Sequence, residues 1–308
     1  MSLPLHTKYR PKSLDEFLGN DSVVESLRSL LQRKEGMPHA FLFTGPAGCG
    51  KTTLGRIVAK ELGCEEGTGL YEYDAATTRG IDTIRQIREA SRYTSFFGGN
   101  KIYLLDEVHQ VTSDGQEALL KILEHPPEHI YFILCTTEPG ELKDTLRQRC
   151  TSYQVNPLQR AKLTKLLTTV IGAEGVEVSP EIIKDIAHNS GGSPRNALVM
   201  LDQIMDMSEG VDVKDILKDG GSVDVQVNEI CRLLLETRKG RWKDVALLLT
   251  KYNKDVEKLR RGIAGYLMAV LLSKEDDRVG EILECFLTSY MYIGKAGLVH
   301  SCYLACKI

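Results

Sequence analysis

The chain has 308 residues, of which 42% are hydrophobic and 26% are charged, and its formal net charge is −3. This composition is that of a globular protein long enough for two or three domains, and it excludes a disordered or strongly basic chain. No apolar run reaches the ~18 residues of a membrane-spanning helix, and Met1–His6 lacks the pattern of a secretory signal, so we expect a cytoplasmic protein.

In chain order, the first 157 residues alternate strand patterns with helical patterns. The strand-like runs are 40–44, 70–74, 101–105, 130–136 and 152–155, and the helical patterns between them are 23–34, 52–62, 81–93, 115–123 and 141–147. Apolar, β-rich strands separated by helices predict an α/β domain with a mostly parallel sheet that is covered on both faces.

Beyond Pro157 the pattern becomes helical. Helical periodicity covers 159–170, 179–190, 193–207, 212–217, 225–235, 242–251, 255–273 and 276–307, with glycine breaks at 191–192, 210 and 220–221. We therefore predict an α/β domain over residues 1–157, a small helical domain over 158–218 and an all-α domain over 222–308.

The first site motif directly follows the strand pattern 40–44. Residues 45–52 read Gly-Pro-Ala-Gly-Cys-Gly-Lys-Thr, the G-x-x-x-x-G-K-[ST] phosphate loop. Its backbone N–H groups surround an anion, Lys51 supplies a positive charge for the β and γ phosphates, and Thr52 supplies a hydroxyl for Mg²⁺. The following helix directs its positive end at the same place, so the loop predicts binding of a nucleoside triphosphate.

A second phosphate-site element ends the strand pattern 101–105 with Asp106 and Glu107. Asp106 can hold Mg²⁺ through water, and Glu107 can polarise an attacking water molecule. Such a pair by itself would be read as an exposed turn, but the phosphate loop upstream favours the catalytic interpretation.

Two further candidates follow along the chain. Thr136 and Thr137 end the next strand, where a hydroxyl could reach the γ-phosphate, although two β-formers at a strand end would also explain the pair. Arg149 precedes the last strand and is a candidate arginine finger, whereas an arginine in a loop is usually solvated.

These motifs resemble those of the AAA+ clamp-loader ATPases, above all the bacterial DNA polymerase III gamma/tau type and the loader subunits of phages and eukaryotes. The matching segments are Lys8-Tyr9-Arg10-Pro11, Phe17-Leu18-Gly19-Asn20, the phosphate loop, 74–76, 106–109, 118–124, 126–129, 136–139, 149–150 and 191–198. The resemblance covers residue 8 to about 207. It implies an AAA+ nucleotide-binding domain (1–157), a helical lid domain (158–218) and a collar domain for oligomerisation (222–308).

The resemblance also implies ATP and Mg²⁺ as ligands and assigns residues to them. The positions that would bind the nucleotide are Tyr9, Arg10, Pro11, Leu18, Gly48, Cys49, Gly50, Lys51, Thr52, Thr53 and Arg195. Thr52 and Asp106 would hold Mg²⁺. The catalytic positions would be Lys51, Glu107, Thr137 as a γ-phosphate sensor and Arg149 as a finger that acts on the ATP of the neighbouring subunit.

Two departures from the family pattern are visible. Gln148 stands where the family has Ser before the finger, so that Arg147 could compete with Arg149 for the role. The four-cysteine zinc module of bacterial gamma/tau chains is absent, since the region around Cys64 has one cysteine, and we expect no zinc.

The eight cysteines are scattered without a C-x-x-C pair, so reduced thiols are expected. His109, His125 and His129 form no metal-ligand grouping and are expected at turns or on the surface.

DNA contacts of a loader should be directed at phosphates, because any primer–template sequence must be accepted. The candidates lie in a loop and on the helix that follows it: Thr78, Arg79, Arg85 and Arg88, with Arg92 continuing the stripe. A solvated helix face paired with Asp82 and Glu89 explains the stripe equally well. The pair Phe96-Phe97 fits either a clamp-binding plug or a segment that folds back onto the core.

The expected function is that of an ATPase subunit of a DNA sliding-clamp loader. The implied partners are the other subunits of a pentameric ring, a sliding clamp and primer–template DNA, with no membrane. One alternative is another AAA+ DNA motor, such as a branch-migration helicase, against which segments 74–76 and 126–129 argue. The other is a non-hydrolysing structural subunit, against which Lys51, Thr52 and Glu107 argue.

Overall fold

The computed structural model describes residues 3–33, 35–65, 67–77, 80–93, 99–205, 223–236, 240–252, 255–273, 276–289 and 294–308. The chain divides into two compact units, residues 1–187 with 192–208 and residues 188–191 with 209–308. The predicted helix 212–217 and the pair Phe96-Phe97 lie outside the described residues. The division into three domains stays a prediction.

Five strands of the described chain form one parallel sheet in the order β2-β3-β4-β1-β5. They are β1 (Ala40–Thr44), β2 (Leu70–Asp74), β3 (Lys101–Asp106), β4 (Ile130–Thr136) and β5 (Thr151–Gln154). The three central strands are buried along most of their length, whereas β2 and β5 at the two edges are partly exposed. The predicted parallel α/β sheet is confirmed.

The helices of residues 3–205 lie before, between and after these strands. They are α1 (Leu5–Lys8), α2 (Asp21–Leu31), α3 (Lys51–Glu61), α4 (Ile81–Ala90), α5 (Ser113–Glu124), α6 (Asp144–Gln148), α7 (Arg160–Glu174), α8 (Pro180–Asn189) and α9 (Pro194–Met205). The four-residue α1 was not predicted, because one helical turn is too short to show a periodicity.

Alternating residues of the central strands form the cores on the two faces of the sheet. Phe43 and Ile133 belong to one core, which also includes Leu27 of α2 and Leu54 of α3. Their strand neighbours Leu42, Phe132 and Leu134 belong to a second core, together with residues of α4 and α5. Because side chains alternate along a strand, a strand covered by helices on both faces is apolar at nearly every position.

The second unit contains helices α10 (Val223–Leu235), α11 (Trp242–Lys251), α12 (Val256–Ser273), α13 (Asp277–Glu284) and α14 (Lys295–Ala305). They pack around a core of their own that includes Ile263, Ile282 and Leu298. The buried guanidinium of Arg241 donates from Nη2 to the carbonyl of Ala305 at 3.1 Å, where a cation satisfies the end of α14. In the part of the chain that the structure describes, no helix is both long and apolar enough to cross a membrane.

The single helix predicted over 276–307 is wrong. It is interrupted after α13, where the amides of Phe286 and Leu287 bond to carbonyls three residues earlier, at 2.9 and 3.3 Å. Phe286 is fully buried at this turn. Apolar residues continue through the connecting segment in the sequence, so the sequence pattern does not mark the break.

Replacing Phe132 by Ala should destabilise the first unit by about 3–5 kcal/mol, since its side chain is fully buried and its ring stacks on Tyr103 at 5.5 Å between centroids. Urea unfolding followed by circular dichroism would measure the loss. Trp242, the one tryptophan of the chain, reports the second unit separately by fluorescence. Tyr93→Ala is the matched control, because Tyr93 is 71% exposed. An unchanged unfolding midpoint for Phe132→Ala would contradict this packing.

Candidate nucleotide-binding site

A cavity of about 590 Å³ in the first unit collects most of the predicted site residues. It lies between the phosphate loop, the N-terminal segment 6–18 and helices α7 and α9. The predicted residues that line it are Tyr9, Arg10, Pro11, Leu18, Gly48, Cys49, Gly50, Lys51, Thr52, Thr53, Asp106, Glu107 and Arg195.

The phosphate loop has the backbone conformation that its glycines predict. Gly48 and Gly50 have φ angles of 75° and 100°, in the left-handed region that side chains disfavour. A Cβ at Gly48 would collide with the hydroxyl of Ser193, which donates to the carbonyl of Gly48 at 3.3 Å. The loop therefore requires glycine for its curl and for its contact with the start of α9.

Lys51 and the Thr52–Asp106 pair occupy the floor of this loop. Lys51 is 5% exposed, and its Nζ donates to the carbonyls of Gly45 and Pro46 at 2.9 and 3.0 Å. The Thr52 hydroxyl donates to Asp106 Oδ2 at 2.8 Å, and Asp106 Oδ1 accepts from the amide of Glu107 at 3.0 Å. A hydroxyl beside a carboxylate is the oxygen donor set that suits Mg²⁺.

Glu107 is held by the end of the neighbouring strand. Its backbone adopts a left-handed conformation with φ 48°, which ends β3 and is uncommon for a residue with a side chain. Its Oε2 accepts from the Thr137 hydroxyl at 3.0 Å and from the Thr137 amide at 3.3 Å. Thr137 thus contacts the cavity-lining Glu107 without lining the cavity itself.

His109 also belongs to this group. It lies in a turn, which was one of the two predicted places, but its side chain is only 6% exposed. It follows Glu107 by two residues in a 3-10 turn over Val108–Gln110. Its Nδ1 lies 3.0 Å from the Thr136 hydroxyl and 3.4 Å from Glu107 Oε2. The sequence gives no sign of this burial, because it depends on how the turn packs against β4.

At the other end of the cavity, Glu174 at the end of α7 joins the N-terminal segment. Its Oε1 accepts from the Tyr9 hydroxyl at 2.5 Å and from Lys8 Nζ at 2.7 Å. These hydrogen bonds lower the pKa of Glu174 and raise the pKa values of Lys8 and Tyr9. We call this contact the Glu174 latch. It orients the segment to which the resemblance assigns nucleotide binding.

The candidate finger Arg149 and the candidate nucleotide-binding residue Arg195 lie in different places. Arg195, at the start of α9, is exposed and lines the cavity. Arg149 does not line it, and its Nη2 contacts Glu124 at 3.4 Å with the side chain 49% exposed. Arg147 pairs with Asp144, one helical turn earlier on α6.

The candidate DNA contacts are only partly described. Arg85 and Arg88 are both exposed on α4, and Arg85 pairs with Asp82 at 3.3 Å, as expected for a solvated helix face. Thr78 and Arg79 lie outside the described residues. Both interpretations of the basic stripe therefore stay open.

Sequence reasoning missed the wall that helix α7 contributes. The residues of this wall are Lys165, Leu166, Thr169 and Val170, with Leu158 just before the helix. Nothing in their local pattern distinguishes them from core residues of any amphipathic helix. Asn20 and Asn156 were missed as well, although they exchange two side-chain-to-backbone hydrogen bonds, at 3.1 and 2.7 Å, that join segment 17–20 to the end of β5.

Known proteins match this chain in sequence and in fold. Residues 70–159 match the model of a family described as DNA polymerase III, delta subunit. The gamma/tau subunit of Mycobacterium tuberculosis DNA polymerase III is 35% identical over 225 residues, which are 66% of this chain and 39% of the relative. The gamma subunit of Buchnera aphidicola (Schizaphis graminum) is 33% identical over 67% of this chain and 62% of the relative. The tau subunit of Bacillus subtilis is 29% identical over 91% of this chain and 54% of the relative.

The chain thus spans roughly two fifths to three fifths of the length of these relatives. Among solved structures, the RuvB Holliday junction branch migration motor of Thermotoga maritima covers 91% of this chain and 90% of its own, with a TM-score of 0.56 and 23% identity. At that identity the likeness shows the AAA+ fold alone. The family model and the named sequence relatives show that this chain is similar to the gamma and tau subunits of bacterial DNA polymerase III.

Proposed function

We propose that this chain is the ATPase subunit of a DNA sliding-clamp loader, in which ATP binding grips an open clamp and primer–template DNA and hydrolysis releases the clamp onto the DNA. One observation carries the proposal. A single cavity contains the phosphate loop, the Asp106–Glu107 pair and Arg195, while Arg149 lies outside it on the surface. This arrangement supports a site that would hold a nucleotide in one subunit and take an arginine from another.

The cavity floor supplies the groups that bind triphosphate. Lys51 would direct its ammonium from the loop carbonyls to the β and γ phosphates, while Arg195 would contact the γ-phosphate from α9. Thr52 and Asp106 would hold Mg²⁺, which when bound neutralises charge on the phosphate oxygens. Glu107 would accept a proton from the attacking water, with Thr137 holding one of its carboxylate oxygens.

Assembly into a ring of loader subunits would supply the remaining cation. Arg149 is half exposed, and its guanidinium lies 3.4 Å from the Glu124 carboxylate. Phosphates of ATP bound to a neighbouring subunit could replace Glu124 as its partner at small cost, because exposed ion pairs contribute little to stability. In the same ring the exposed Arg85 and Arg88 of α4 would contact DNA phosphates. A bacterial or phage replication complex in the cytoplasm would be the place of action.

A branch-migration helicase is the second candidate, favoured by the fold match to the Thermotoga maritima motor. The sequence relatives favour the loader, since the 35% and 33% identical chains are both named as DNA polymerase III subunits. ATP turnover with and without primed DNA and a cognate clamp, beside a duplex-unwinding assay, separates the two. Turnover stimulated by primed DNA and clamp supports the loader, and unwinding without a clamp would overturn it.

Replacing Arg149 by Ala should lower ATP hydrolysis by ~10³-fold or more while leaving ATP affinity unchanged, because the finger contacts the neighbour's transition state. Turnover in the presence of DNA and clamp, with nucleotide affinity from a fluorescent ATP analogue, measures both quantities. Arg147→Ala is the matched control two residues away and should hydrolyse ATP normally. The reverse pattern would make Arg147 the finger, and normal turnover in both variants would contradict the trans mechanism.

Breaking the Glu174 latch with Glu174→Ala should weaken ATP binding roughly 3- to 10-fold, since the N-terminal segment would lose its preorganised position. Glu174→Gln, which keeps an acceptor for Tyr9 and loses the charge, should lie between this variant and the wild type. Glu181→Ala, an exposed carboxylate on α8, is the control. Equal affinities in all four proteins would show that the latch does not shape the site.

The pH limits of the latch follow from its pKa shifts. Because the pKa of Glu174 is lowered, the stabilisation of the latch by its carboxylate is fully present above pH 4.5, the ordinary pKa. This stabilisation is lost as the pH falls through the lowered pKa. Because the pKa values of Tyr9 and Lys8 are raised, the stabilisation from their hydrogen bonds is fully present below their ordinary pKa values of 10.0 and 10.5. This stabilisation is lost as the pH rises through the raised pKa values. The affinity ratio between wild type and Glu174→Ala should therefore be constant across neutral pH.

A further inference from the structure

His109 lies behind the carboxylate of Glu107, on the side away from solvent. The imidazole is 6% exposed, whereas the Glu107 side chain is 33% exposed and lines the cavity. One ring nitrogen, Nδ1, lies 3.0 Å from the Thr136 hydroxyl and 3.4 Å from Glu107 Oε2. The other ring nitrogen, Nε2, lies 2.9 Å from the side-chain amide nitrogen (Nε2) of Gln110. Both polar atoms of this buried ring are thus engaged.

The neighbours select one tautomer of a neutral His109. A carboxylate oxygen only accepts hydrogen bonds, so a bare Nδ1 lone pair facing Glu107 Oε2 would be repelled, whereas an N–H there is attracted. The Gln110 amide nitrogen only donates, so Nε2 must accept from it. Two independent contacts therefore place the proton on Nδ1, where it is directed at Thr136 and Glu107.

Glu107 needs such an anchor because of its position. It ends β3 in a left-handed backbone conformation, and its carboxylate is exposed to the cavity rather than packed in the core. The hydroxyl and amide of Thr137 both donate to Oε2, and Nδ1 of His109 lies 3.4 Å from the same oxygen. Oε1 accepts no hydrogen bond within the described part of the chain and is the oxygen left to accept a proton from water.

We propose that His109 is a positioning residue for ATP hydrolysis, which holds Glu107 from behind through its Nδ1–H and is itself oriented by Gln110. The inference rests on the proposed function, because it assigns Glu107 the role of the base. Thr136 forms the rigid part of the contact, since its buried hydroxyl also accepts from the amide of Glu138 at 3.0 Å. His109 touches neither the nucleotide loop nor the Thr52–Asp106 pair, so its loss should change the rate and spare ATP binding.

His109→Ala tests this in the full chain. ATP affinity should stay within about 2-fold of the wild type, and hydrolysis with DNA and clamp should fall roughly 10- to 100-fold, as expected when a catalytic group is misplaced by about 1 Å. His109→Asn, whose amide nitrogen can replace Nδ1–H, should recover most of the rate. His188→Ala, an exposed histidine on α8, is the matched control. Wild-type turnover in His109→Ala would overturn the proposal, as would equal losses of rate in Ala and Asn variants accompanied by a lowered unfolding midpoint.

A second readout does not depend on hydrolysis. In protein with ¹⁵N-labelled histidine, the ring nitrogens of His109 can be assigned by their loss in His109→Asn, and their shifts identify the tautomer. We expect a neutral ring protonated at Nδ1, and loss of that preference in Gln110→Ala. A ring protonated at Nε2 would overturn the proposal. Wild-type protein that binds ATP but does not hydrolyse it even when assembled with the other loader subunits, primed DNA and clamp would instead contradict the proposed function. The tautomer would still show whether His109 donates from Nδ1.

Discussion

The parallel pairing of β4 between β1 and β3 is the constraint on which the site depends. Thr44 of β1 is in register with Thr136 of β4, and Leu105 of β3 is in register with Leu134. Because the three strands run in one direction, their carboxyl ends meet at one edge of the sheet. The phosphate loop, the Asp106–Glu107 pair and the Thr136–Thr137 pair are therefore brought together although they are about thirty residues or more apart along the chain. A hydrogen bond of 3.3 Å from the amide of Gly45 to the carbonyl of Thr136 ties the start of the loop to this edge.

The two ends of the cavity are built in different ways. The phosphate end rests on the buried sheet, where Lys51, Asp106 and Glu107 are each held by short polar contacts. The opposite end rests on helices and on the N-terminal segment, which the Glu174 latch joins across 165 residues of sequence. Rigid support suits the end where bonds would be broken, since catalysis depends on placing groups accurately.

Much of the fold was predictable because the central strands carry two kinds of signal at once. Residues 40–44 and 130–136 are apolar at nearly every position, and turn residues or helical patterns bound them, so their extents were predicted without error. The helical region was less tractable. The break between α13 and α14, at the buried Phe286, is not marked in the sequence, because apolar residues continue through the connecting segment. His109 illustrates the same limit at the site, because an imidazole two residues after Glu107 can face either solvent or β4, and packing alone selects between them.

The phosphate loop, the acidic strand end and the arginine motifs are local patterns, so residues 45–52, 106–107, 149 and 195 could be singled out as triphosphate-site candidates from the sequence alone. Their geometry is not local. Thr137 donates to Glu107, His109 contacts Thr136, Ser193 donates to the carbonyl of Gly48, and Glu174 accepts from Tyr9. Each of these contacts depends on the approach of segments far apart in sequence. The reason is physical. A backbone pattern encodes the conformation of a few neighbouring residues, whereas the direction and burial of a polar side chain are set by whichever partners the packed core places beside it.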